Sequence, residues 1–586
     1  MYYEFHFLKQ TNKSCFIKLK KYIILYQIEL TVAATNTLLN YFYKWEIAKA
    51  NEVFLRQPNA NNWQQFTWAE IGVMARKMAS FLKQQKFPPK SHIGIISKNC
   101  YHWVVADLAI MMSGHISVPF YANTAKEELA YVTEHSNIKL LFVGKLDEWE
   151  ERQKVISKNL KTVAFPHYKG NAIIEANYYW DTLCKTNEPL KENYQPQLND
   201  LFTIIYTSGT TGKPKGVMHT WASVSSLVHS QEIYDDLKTA NINVRLFSYL
   251  PLNHIAERIF IETLGIFRGG TISFAESLDT FAENLSSVQP THFIAVPRIW
   301  TRFKLAIVEK MGEKKLSRMM KTPIVKSIIK KTIKKKLGLS KAVLVLTGAA
   351  PMAAKTINWY KQFDIYIQEV YGMTENNGGC TLMPADNIKL GKVGKAIAEV
   401  ELKIEEQTGE LLMKAPWLMT GYYANIEKTN ETLKDGWLHT GDIGSIDAAG
   451  YLTLTGRLND NFKTTKGKFI TPVPLEYAFS VNSNVEQVCV TGSILPQPVA
   501  LCVLSEIGKA KPKTDVEESL LNNLVDTNMG QPNYTKIKKV IIVNDNWSLE
   551  NGQLTATLKI KRNVVFQQYK NKLENWYENK AQVVWA

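Results

Sequence analysis

Cysteine is scarce in this 586-residue chain, and no two of its six cysteines form a CxxC pair. They lie far apart, at positions 15, 100, 184, 380, 489 and 502. This spacing argues against a disulfide scaffold and a zinc site, and it fits a reducing cytoplasm. The chain also lacks any run of eighteen uninterrupted apolar residues. We therefore expect a protein that is soluble or lies on a membrane without spanning it.

The first 37 residues lack the pattern of a secretion signal. Lysines interrupt their apolar residues at positions 9, 13, 18, 20 and 21, so no signal-peptide core forms. We treat residues 1–37 as an N-terminal extension. Two explanations for it stay open: a frayed extension, or translation from an upstream start codon.

Acidic residues are absent from one long basic segment. The chain carries 70 Lys and Arg against 54 Asp and Glu, a net charge of +16. Most of the excess comes from Lys314, Lys315, Arg318, Lys321, Lys326, Lys330, Lys331, Lys334, Lys335, Lys336 and Lys341. An excess this local, with no zinc-finger or RNP-type motif, does not indicate a nucleic-acid partner.

The same segment has the pattern of an amphipathic helix. Its apolar residues Ile324, Ile328, Ile329, Ile333 and Leu337 fall near one helical face, with lysines on the other. A helix lying on a membrane surface has this pattern. A solvated helix packed on its domain gives the same pattern, so membrane contact through residues 324–341 stays open beside that alternative.

A loop rich in glycine, hydroxyl groups and lysine follows a buried strand. The apolar run at residues 201–205 predicts the strand, and the stretch TSGTTGKPKG follows it. Glycine lets the backbone approach a ligand, hydroxyls and amides donate hydrogen bonds, and lysine adds positive charge, which suits a polyphosphate. The candidate residues are Thr207, Ser208, Gly209, Thr210, Thr211, Gly212, Lys213 and Lys215.

One residue excludes a P-loop NTPase. A Walker A motif needs Ser or Thr directly after Gly-Lys, and here Pro214 follows Gly212 and Lys213. A flexible surface loop without a ligand is the alternative that composition alone favours. Two lysines beside Pro214, directly after a buried strand, make that the weaker interpretation.

From about Leu38 onward, helical patterns alternate with short strands. We predict a helix within residues 67–85 and strands within 92–97, 140–144, 292–297 and 342–348. This alternation is typical of an α/β protein with parallel sheets. A chain of 586 residues exceeds one core, and its composition turns polar and basic near Arg457. We predict domains at residues 38–457 and 458–586.

Four further stretches place polar or small residues after predicted strands. They are SYLPLNHIAER with His254, LTGAAP with Gly348, Ala349 and Ala350, VYGMTE with Tyr371, Gly372, Thr374 and Glu375, and DGWLHTGD, a polar turn closing on Asp442. Loops after neighbouring strands of an open parallel sheet meet at one crevice, so we expect these stretches to converge. Singly each is weak, because a solvated carboxylate, a packing aromatic ring or a turn residue explains it equally well.

Together with the phosphate loop, these stretches resemble the adenylate-forming superfamily of acyl-CoA synthetases, acyl-AMP ligases and luciferases. TSGTTGKPKG, YGMTE, TGD, the Gly456-Arg457 pair and NGQLTATLKIKR occur in the family's order, from about Leu38 to the end. YLPLNHIAER, FIAVPRIWTRF and DGWLHTGDIG are most similar to long-chain fatty acyl-CoA synthetases. The resemblance implies an α/β fold: a large N-terminal adenylate-forming domain with several sheets and flanking helices, and a small mobile α+β C-terminal domain.

The resemblance also implies a reaction. A carboxylate attacks the α-phosphate of ATP to give an acyl adenylate and pyrophosphate, and a thiol, expected to be that of coenzyme A, then releases AMP. Because two anions must meet, catalysis depends on charge neutralisation and positioning. The loop from Thr207 to Lys215 would hold the β- and γ-phosphates, Glu375 would bind Mg²⁺, and Thr374 would hydrogen-bond a phosphate.

The same resemblance implies which residues bind the nucleoside. Tyr371 would stack on adenine beside the small residues of the 348–350 turn, and Gly372 belongs to the same box. Asp442 would accept hydrogen bonds from both ribose hydroxyls, and Arg457 would contact the same sugar. His254 matches the residue near the acyl carboxylate.

The family's catalytic lysine matches Lys559, which would bridge the carboxylate and the α-phosphate. Lys561 lies two residues on, and we prefer Lys559 because it follows the small-residue turn. Family members rotate the C-terminal domain between the two half-reactions, about a hinge two residues after the arginine, here Asn459. This chain departs from the family, which usually has Asp or Lys at the hinge and Pro where Ala556 stands.

We therefore expect an ATP- and Mg²⁺-dependent, AMP-forming fatty acyl-CoA synthetase, cytoplasmic or peripheral to the inner membrane face. One alternative passes the adenylate to a carrier-protein thiol or to an intramolecular acceptor. Another is a non-catalytic sensor of acyl chains or nucleotides. The presence of Glu375, Asp442, Arg457 and Lys559 speaks against the sensor.

Overall fold

The computed structural model describes residues 36–59, 62–207, 213–239, 242–277, 279–549, 551–555 and 559–586, with the backbone alone for 231–239. The extension predicted at 1–37 therefore lies almost wholly outside the described residues. In the part of the chain that is described, no helix is long and apolar enough to cross a membrane.

The strands are β1 (Val53–Asn59), β2 (Asn62–Thr67), β3 (His92–Ile96), β4 (Ile116–Phe120), β5 (Leu140–Val143), β6 (Lys161–Ala164), β7 (Tyr178–Tyr179), β8 (Leu201–Thr207), β9 (Lys215–Thr220), β10 (Arg245–Ser248), β11 (Thr271–Phe274), β12 (His292–Ala295), β13 (Leu344–Thr347), β14 (Gln368–Tyr371), β15 (Thr381–Leu382), β16 (Lys395–Ala396), β17 (Glu401–Ile404), β18 (Glu410–Lys414), β19 (Gly421–Tyr422), β20 (Leu433–Lys434), β21 (Trp437–Ile446), β22 (Leu452–Arg457), β23 (Phe462–Lys463), β24 (Phe469–Ile470), β25 (Val485–Thr491), β26 (Val499–Leu504), β27 (Lys539–Ile542) and β28 (Val583–Trp585).

The α-helices are α1 (Leu38–Ala48), α2 (Trp68–Gln84), α3 (Tyr101–Met112), α4 (Lys126–His135), α5 (Glu150–Gln153), α6 (Trp180–Thr186), α7 (Trp221–Thr239), α8 (Ile255–Glu257), α9 (Leu264–Arg268), α10 (Phe281–Val288), α11 (Pro297–Met311), α12 (Glu313–Met319), α13 (Pro323–Lys336), α14 (Ala354–Lys361), α15 (Ile426–Thr432), α16 (Pro472–Ser480), α17 (Glu506–Lys509), α18 (Lys513–Asn528), α19 (Arg562–Tyr569) and α20 (Leu573–Glu578). A π-helical segment, Arg258–Thr263, joins α8 to α9.

The first large unit is built on an eight-stranded sheet of order β19-β9-β8-β4-β3-β5-β6-β7. Its central strands β4, β3, β5 and β6 are parallel. Helix α3 is buried along nearly its whole length, as expected of a crossover helix packed between layers. Helix α2 begins with a capping box in which Thr67 and Glu70 satisfy each other's backbone amides. The α/β class and the predicted elements within residues 67–85, 92–97 and 140–144 are confirmed.

A second core lies under the sheet β12-β13-β14-β15-β16. Strands β12, β13 and β14 are parallel, and the strands predicted within 292–297 and 342–348 are confirmed. Helix α13 packs Ile329 and Ile333 into this core.

The prediction of one apolar face for the basic segment is wrong in part. Ile329, Ile333 and Leu337 are buried, but Ile324 and Ile328 are 76% and 60% exposed on the opposite side. The helix also ends at Lys336 rather than Lys341. Helix α13 packs only part of its apolar surface against the core. Ile324 and Ile328 are therefore exposed to solvent among the lysines.

The C-terminal unit has its own cores, formed by residues from 470 to 584 on the two faces of a sheet of order β25-β26-β27-β28. Strands β25 and β26 are antiparallel, while β26, β27 and β28 are parallel. Helices α16, α18 and α19 cover the sheet, which is an α+β arrangement. The unit contacts the large one through an ion pair between Arg298 and Glu486. The domain boundary after Arg457 stays a prediction.

Candidate active site

The expected convergence of loops occurs, but its predicted reason is wrong in part. Only β13 and β14 are neighbouring parallel strands of one sheet. The other stretches come from different sheets: the phosphate loop from β8 and β9, the His254 stretch from β10, and Asp442 from β21. Several sheets therefore contribute residues to one site.

Tyr371, Asp442 and Arg457 form a hydrogen-bonded group at the centre. The Tyr371 hydroxyl donates to Asp442 Oδ2 at 2.5 Å, and Arg457 Nε donates to Asp442 Oδ1 at 2.8 Å. Asp442 is 5% exposed. Its charge raises the pKa of Arg457, while burial, followed by Asp442, raises the pKa of Tyr371. Each carboxylate oxygen thus has a donor, which fixes the orientation of Asp442.

The sequence suggested that Asp442 closes a polar turn, and this prediction is wrong. The turn is at Asp435 and Gly436, and Asp442 lies inside strand β21. Its position comes from an irregularity in the pairing of β21 with β18, where Gly441 has a φ of +72°. Left-handed backbone favours glycine. Gly441 therefore lets the strand bulge, and the bulge orients the next residue.

The 348–350 turn lies against the strand that ends at Tyr371. A Cβ on Gly348 would lie 2.8 Å from Val370 Cγ2, and one on Gly372 would lie 2.1 Å from the Gly378 carbonyl oxygen. Ala349 has a φ of +64°, which is rare for a residue with a side chain. The close backbone approach explains why small residues occupy this turn.

Glu375 is a buried carboxylate in a short 3-10 turn, Thr374–Asn376. Its Oε1 accepts a hydrogen bond from the Tyr422 hydroxyl at 2.7 Å. His219 Nε2 donates to the Thr374 carbonyl at 2.8 Å. Burial lowers the pKa of His219 to about 4, so this imidazole is neutral at pH 7. These two contacts fix the turn from β9 and β19.

The donor set around Glu375 fits Mg²⁺ bound together with phosphate. Among the described residues, no three His, Cys, Asp or Glu side chains lie together as an all-protein metal site. Magnesium usually takes one or two carboxylates and completes its octahedron with substrate phosphates and water. A single buried carboxylate whose charge acts on Lys215 meets that requirement.

The phosphate loop is the connection of a β-hairpin, with Thr207 opposite Lys215. Ser208, Gly209, Thr210, Thr211 and Gly212 lie outside the described residues. Burial lowers the pKa of Lys215, and the negative charge of Glu375 opposes that shift. The Lys215 ammonium lies 4.8 Å from the centre of the Tyr422 ring.

His254 caps the start of α8, and its Nδ1 accepts a hydrogen bond from the Ala256 amide at 3.2 Å. Burial and the nearby Lys559 ammonium lower its pKa to about 4. A neutral imidazole that accepts at Nδ1 carries its proton on Nε2. His254 is therefore a hydrogen-bond donor at neutral pH.

Sequence reasoning missed two buried residues that hold the His254 loop. Asn99 accepts from the Leu252 amide at 3.1 Å and donates to the Leu250 carbonyl at 2.6 Å. Glu257 Oε1 accepts from the Ser248 hydroxyl and the Tyr249 amide, both at 2.8 Å. Burial raises the pKa of Glu257 to about 8.

Lys559 is the candidate site residue that comes from the C-terminal unit. The residue is open to solvent, but protein atoms around its ammonium, and next the Arg457 guanidinium, lower its pKa. The carboxylates of Asp442, Asp460 and Glu375 act in the opposite direction. The charge of Lys561 instead acts on Glu128. The structure thus separates the two lysines, and Lys559 is the one among the candidate site residues.

The chain belongs to the AMP-binding enzyme family. The family model for the AMP-binding enzyme matches residues 45–423, and the model for the AMP-binding enzyme C-terminal domain matches residues 459–581. The fold and the suspected superfamily are thereby confirmed. The individual site residues keep their roles as predictions.

The curated proteins to which the chain is similar include a long-chain-fatty-acid–CoA ligase and a long chain acyl-CoA synthetase. It is 27% identical to the long-chain-fatty-acid–CoA ligase ACSBG2 of Xenopus laevis, over 90% of this chain and 82% of that protein. It is also 27% identical to long chain acyl-CoA synthetase 1 of Arabidopsis thaliana, over 88% of each chain.

Solved structures have the same fold. The A domain of carboxylic acid reductase from Segniliparus rugosus, in complex with AMP and a co-purified carboxylic acid, matches 94% of this chain and 96% of its own. The TM-score is 0.76 and the identity is 20%. The O-succinylbenzoate coenzyme A synthetase from Bacillus subtilis, in complex with AMP, matches 89% of this chain and 97% of its own, with a TM-score of 0.68 and 20% identity.

Proposed function

We propose that the protein activates a fatty acid with ATP as an acyl adenylate and transfers the acyl group to coenzyme A, releasing AMP and pyrophosphate. The observation that carries this proposal is the hydrogen-bonded group of Tyr371, Asp442 and Arg457. The charges of this group also act on the pKa of Lys559. Its ammonium interacts with Arg457, Asp442 and Glu375, the residues assigned to ribose and metal binding. The names of the curated relatives support the acyl substrate and the thiol.

In the first step, the residues neutralise charge and fix geometry. Asp442, oriented by Tyr371 and Arg457, accepts from the ribose hydroxyls. Lys559 would bridge the carboxylate and the α-phosphate and would stabilise the negative charge that develops there. His254, neutral and protonated on Nε2, donates to the acyl carboxylate end. Positioning of this kind lets two anions react.

Mg²⁺ would be held by Glu375 together with ATP phosphates, and it would neutralise charge on them. The Tyr422 hydroxyl donates a hydrogen bond to Oε1 of the same carboxylate. Glu375→Ala should therefore raise the Mg²⁺ concentration needed for half-maximal activity. Activity and metal dependence equal to the unmodified protein would contradict this assignment.

The alternative acceptors are a carrier-protein thiol and an intramolecular hydroxyl. A non-catalytic sensor is a third function, and the presence of Glu375, Asp442, Arg457 and Lys559 together opposes it. The experiment that separates them measures AMP release with a panel of fatty acids, with and without coenzyme A. We expect AMP release that needs both substrates. Release that needs the fatty acid but not coenzyme A would support another acceptor, and no release would support the sensor.

We further propose that the protein works in the cytoplasm and contacts the inner membrane face through helix α13. On its outer side, Ile324 and Ile328 are exposed, and Lys331 and Lys335 lie on the same stripe of the helix. Exposed apolar residues among lysines favour an anionic lipid surface. A fatty acid dissolved in that surface would then be close to the enzyme.

A further inference from the structure

The loop that carries Lys559 is a short hairpin just before helix α19. Leu554 and Ile560 pair as an antiparallel bridge. The Lys559 amide donates to the Thr555 hydroxyl at 3.1 Å, and the Thr555 amide donates to the Lys559 carbonyl at 2.8 Å. Helix α19 begins three residues after Lys559, at Arg562. A contact that fixes Arg562 therefore fixes one end of this loop.

Arg562 is bound by Glu476, which lies on helix α16. Both carboxylate oxygens of Glu476 accept from the guanidinium: Oε2 lies 2.9 Å from Nη2, and Oε1 accepts from Nη1. The two side chains are only 14% and 16% exposed. A bidentate ion pair of this kind fixes orientation as well as distance.

The ion pair also binds both peptide groups of Val490. The Val490 amide donates to Glu476 Oε1 at 2.7 Å, and the Val490 carbonyl accepts from Arg562 Nη1 at 3.0 Å. Val490 belongs to β25, which lies at the edge of its sheet. An edge strand presents unpaired peptide groups on its outer side, and the ion pair satisfies two of them. Helix α16, strand β25 and the start of α19 therefore meet at this pair.

Helix α16 in turn lies against the strand that carries Arg457. Its N-cap residue is Thr471, and a Cβ on Gly456 would lie 2.2 Å from Thr471 Cγ2. A glycine at this position permits the close approach. Gly456 precedes Arg457 on β22, where Arg457 pairs with Asp442 on β21. A chain of contacts through α16 thus connects the Asp442–Arg457 pair to Arg562.

We propose that Arg562 and Glu476 are positioning residues for Lys559: their ion pair fixes the lysine loop to α16, and α16 fixes it relative to Arg457. The inference rests on the proposed function, in which Lys559 acts on the α-phosphate while Asp442 and Arg457 bind the ribose. Because both groups belong to one nucleotide, the lysine has to be placed relative to the ribose site within about 0.5 Å.

The alternative is that the ion pair only stabilises the C-terminal unit. Loss of that stability would lower both half-reactions together. Misplacement of Lys559 lowers adenylation alone, because the lysine acts on charge that develops at the α-phosphate. The ratio of the two half-reactions therefore separates the two roles.

The test compares both half-reactions of Arg562→Lys in the full-length protein. Lysine keeps the charge but lacks the planar fork that binds both oxygens of Glu476. The kcat of fatty-acid-dependent exchange of labelled pyrophosphate into ATP should fall about tenfold or more. The KM for ATP, and the rate of thioester formation from supplied acyl adenylate and coenzyme A, should each change by less than about twofold.

A second variant, Glu476→Gln, removes the negative charge of the pair and keeps one accepting oxygen. It should give the same selective loss of adenylation. Because the two residues act through one contact, the double variant should lose no more than the more affected single variant.

Arg76→Lys is the matched control. Arg76 on α2 binds both oxygens of Glu46 on α1, at 2.9 and 2.7 Å, and these side chains are 13% and 16% exposed. Geometry and burial thus match those of the Arg562–Glu476 pair, but this pair lies in the large unit and contains no candidate site residue. The control should leave the ratio of the two half-reactions equal to that of the unmodified protein.

Equal losses in both half-reactions of the two pair variants would overturn the proposal, as would unchanged adenylation in both, or losses that add in the double variant. If Arg562→Lys does not fold, Glu476→Gln decides alone. If the unmodified protein forms no adenylate with any fatty acid, the proposed function fails and this inference fails with it. Normal adenylation by the unmodified protein without a selective loss in the variants overturns the inference only.

Discussion

The hydroxyl of Tyr371 and the carboxylate of Asp442 lie 2.5 Å apart, although 71 residues separate them in the chain. The contact joins the end of β14 to the bulged strand β21, which belong to different sheets. Arg457 occupies the other carboxylate oxygen. These two contacts fix the carboxylate that we predict accepts hydrogen bonds from the ribose hydroxyls.

Removing the Tyr371 hydroxyl should weaken nucleotide binding. Tyr371→Phe keeps the ring but leaves Asp442 with one fixed oxygen, and a hydrogen bond to a charged group contributes about 1.5–3 kcal/mol. We expect the KM for ATP to rise about tenfold or more, measured by initial rates. Tyr360→Phe is the matched control, because that buried hydroxyl donates to the Trp300 carbonyl in another core. An ATP KM that rises equally in both variants would contradict the account.

Lys559→Ala should abolish adenylate formation but leave thioester formation from supplied acyl adenylate largely intact. The reason is that this ammonium acts on charge that develops at the α-phosphate. Both half-reactions can be measured separately with purified protein. Lys561→Ala, whose charge acts on Glu128, should retain both. Equal loss of the two half-reactions in Lys559→Ala would refute the assignment.

Lipid binding through α13 should depend on its outer lysines. Each lysine near an anionic surface contributes about 1 kcal/mol, screened within roughly 8–10 Å at ordinary salt. Lys331→Gln with Lys335→Gln should therefore weaken co-sedimentation with anionic vesicles, and high salt should do the same. Lys330→Gln is the control, because Lys330 Nζ lies 2.6 Å from Asp364 Oδ1.

Turnover on a short, soluble fatty acid should stay near normal in these lysine variants, because the active site is unchanged. If the unmodified protein stays in the supernatant at low salt, the membrane proposal is wrong and α13 is a solvated surface helix.

The buried carboxyl of Glu257 should make stability fall as pH rises. Burial raises its folded-state pKa from 4.5 to about 8, so between these values the folded state holds a proton that the unfolded chain has lost. The free energy of unfolding then falls by up to about 1.4 kcal/mol for each unit that the pH rises in this range. Glu257→Gln keeps the accepting oxygen and removes the titration.

Urea unfolding at several pH values between 5 and 8 measures the effect. The free energy of unfolding of Glu257→Gln, relative to the unmodified protein, should increase with pH. Glu369, whose pKa burial raises to about 7, is present in both proteins and cancels in the difference. A difference that does not change with pH would show that Glu257 titrates normally.

Single helices and strands were predictable because the residues that specify each of them are neighbours in the sequence. Thr67 and Glu70 mark the start of α2, and the apolar run at 201–205 marks β8. The apolar face of α13 was not predictable, because both of its sides carry isoleucine. Only the packing partner decides that Ile329 and Ile333 are buried while Ile328 is exposed.

The candidate site was predictable as a set of motifs but not as a geometry. The motifs identified Tyr371 and Asp442, yet the bulge at Gly441 that brings them together depends on the pairing of β21 with β18. Tyr422 and Asn99 belong to no motif named above, and Glu257 lies in YLPLNHIAER but had no role assigned to it. Tyr422 supports Glu375, and Asn99 supports the His254 loop, through contacts between residues that are distant in the chain. A sequence pattern does not record such contacts.

The fate of a carboxyl oxygen tests the central claim most directly. A fatty acid labelled with oxygen-18 in its carboxylate is converted with ATP and coenzyme A, and the phosphate-containing products are analysed by mass spectrometry. If the carboxylate attacks the α-phosphate, one labelled oxygen must appear in AMP, and pyrophosphate must carry none. Label in inorganic phosphate, with ADP as the nucleotide product, would contradict adenylation.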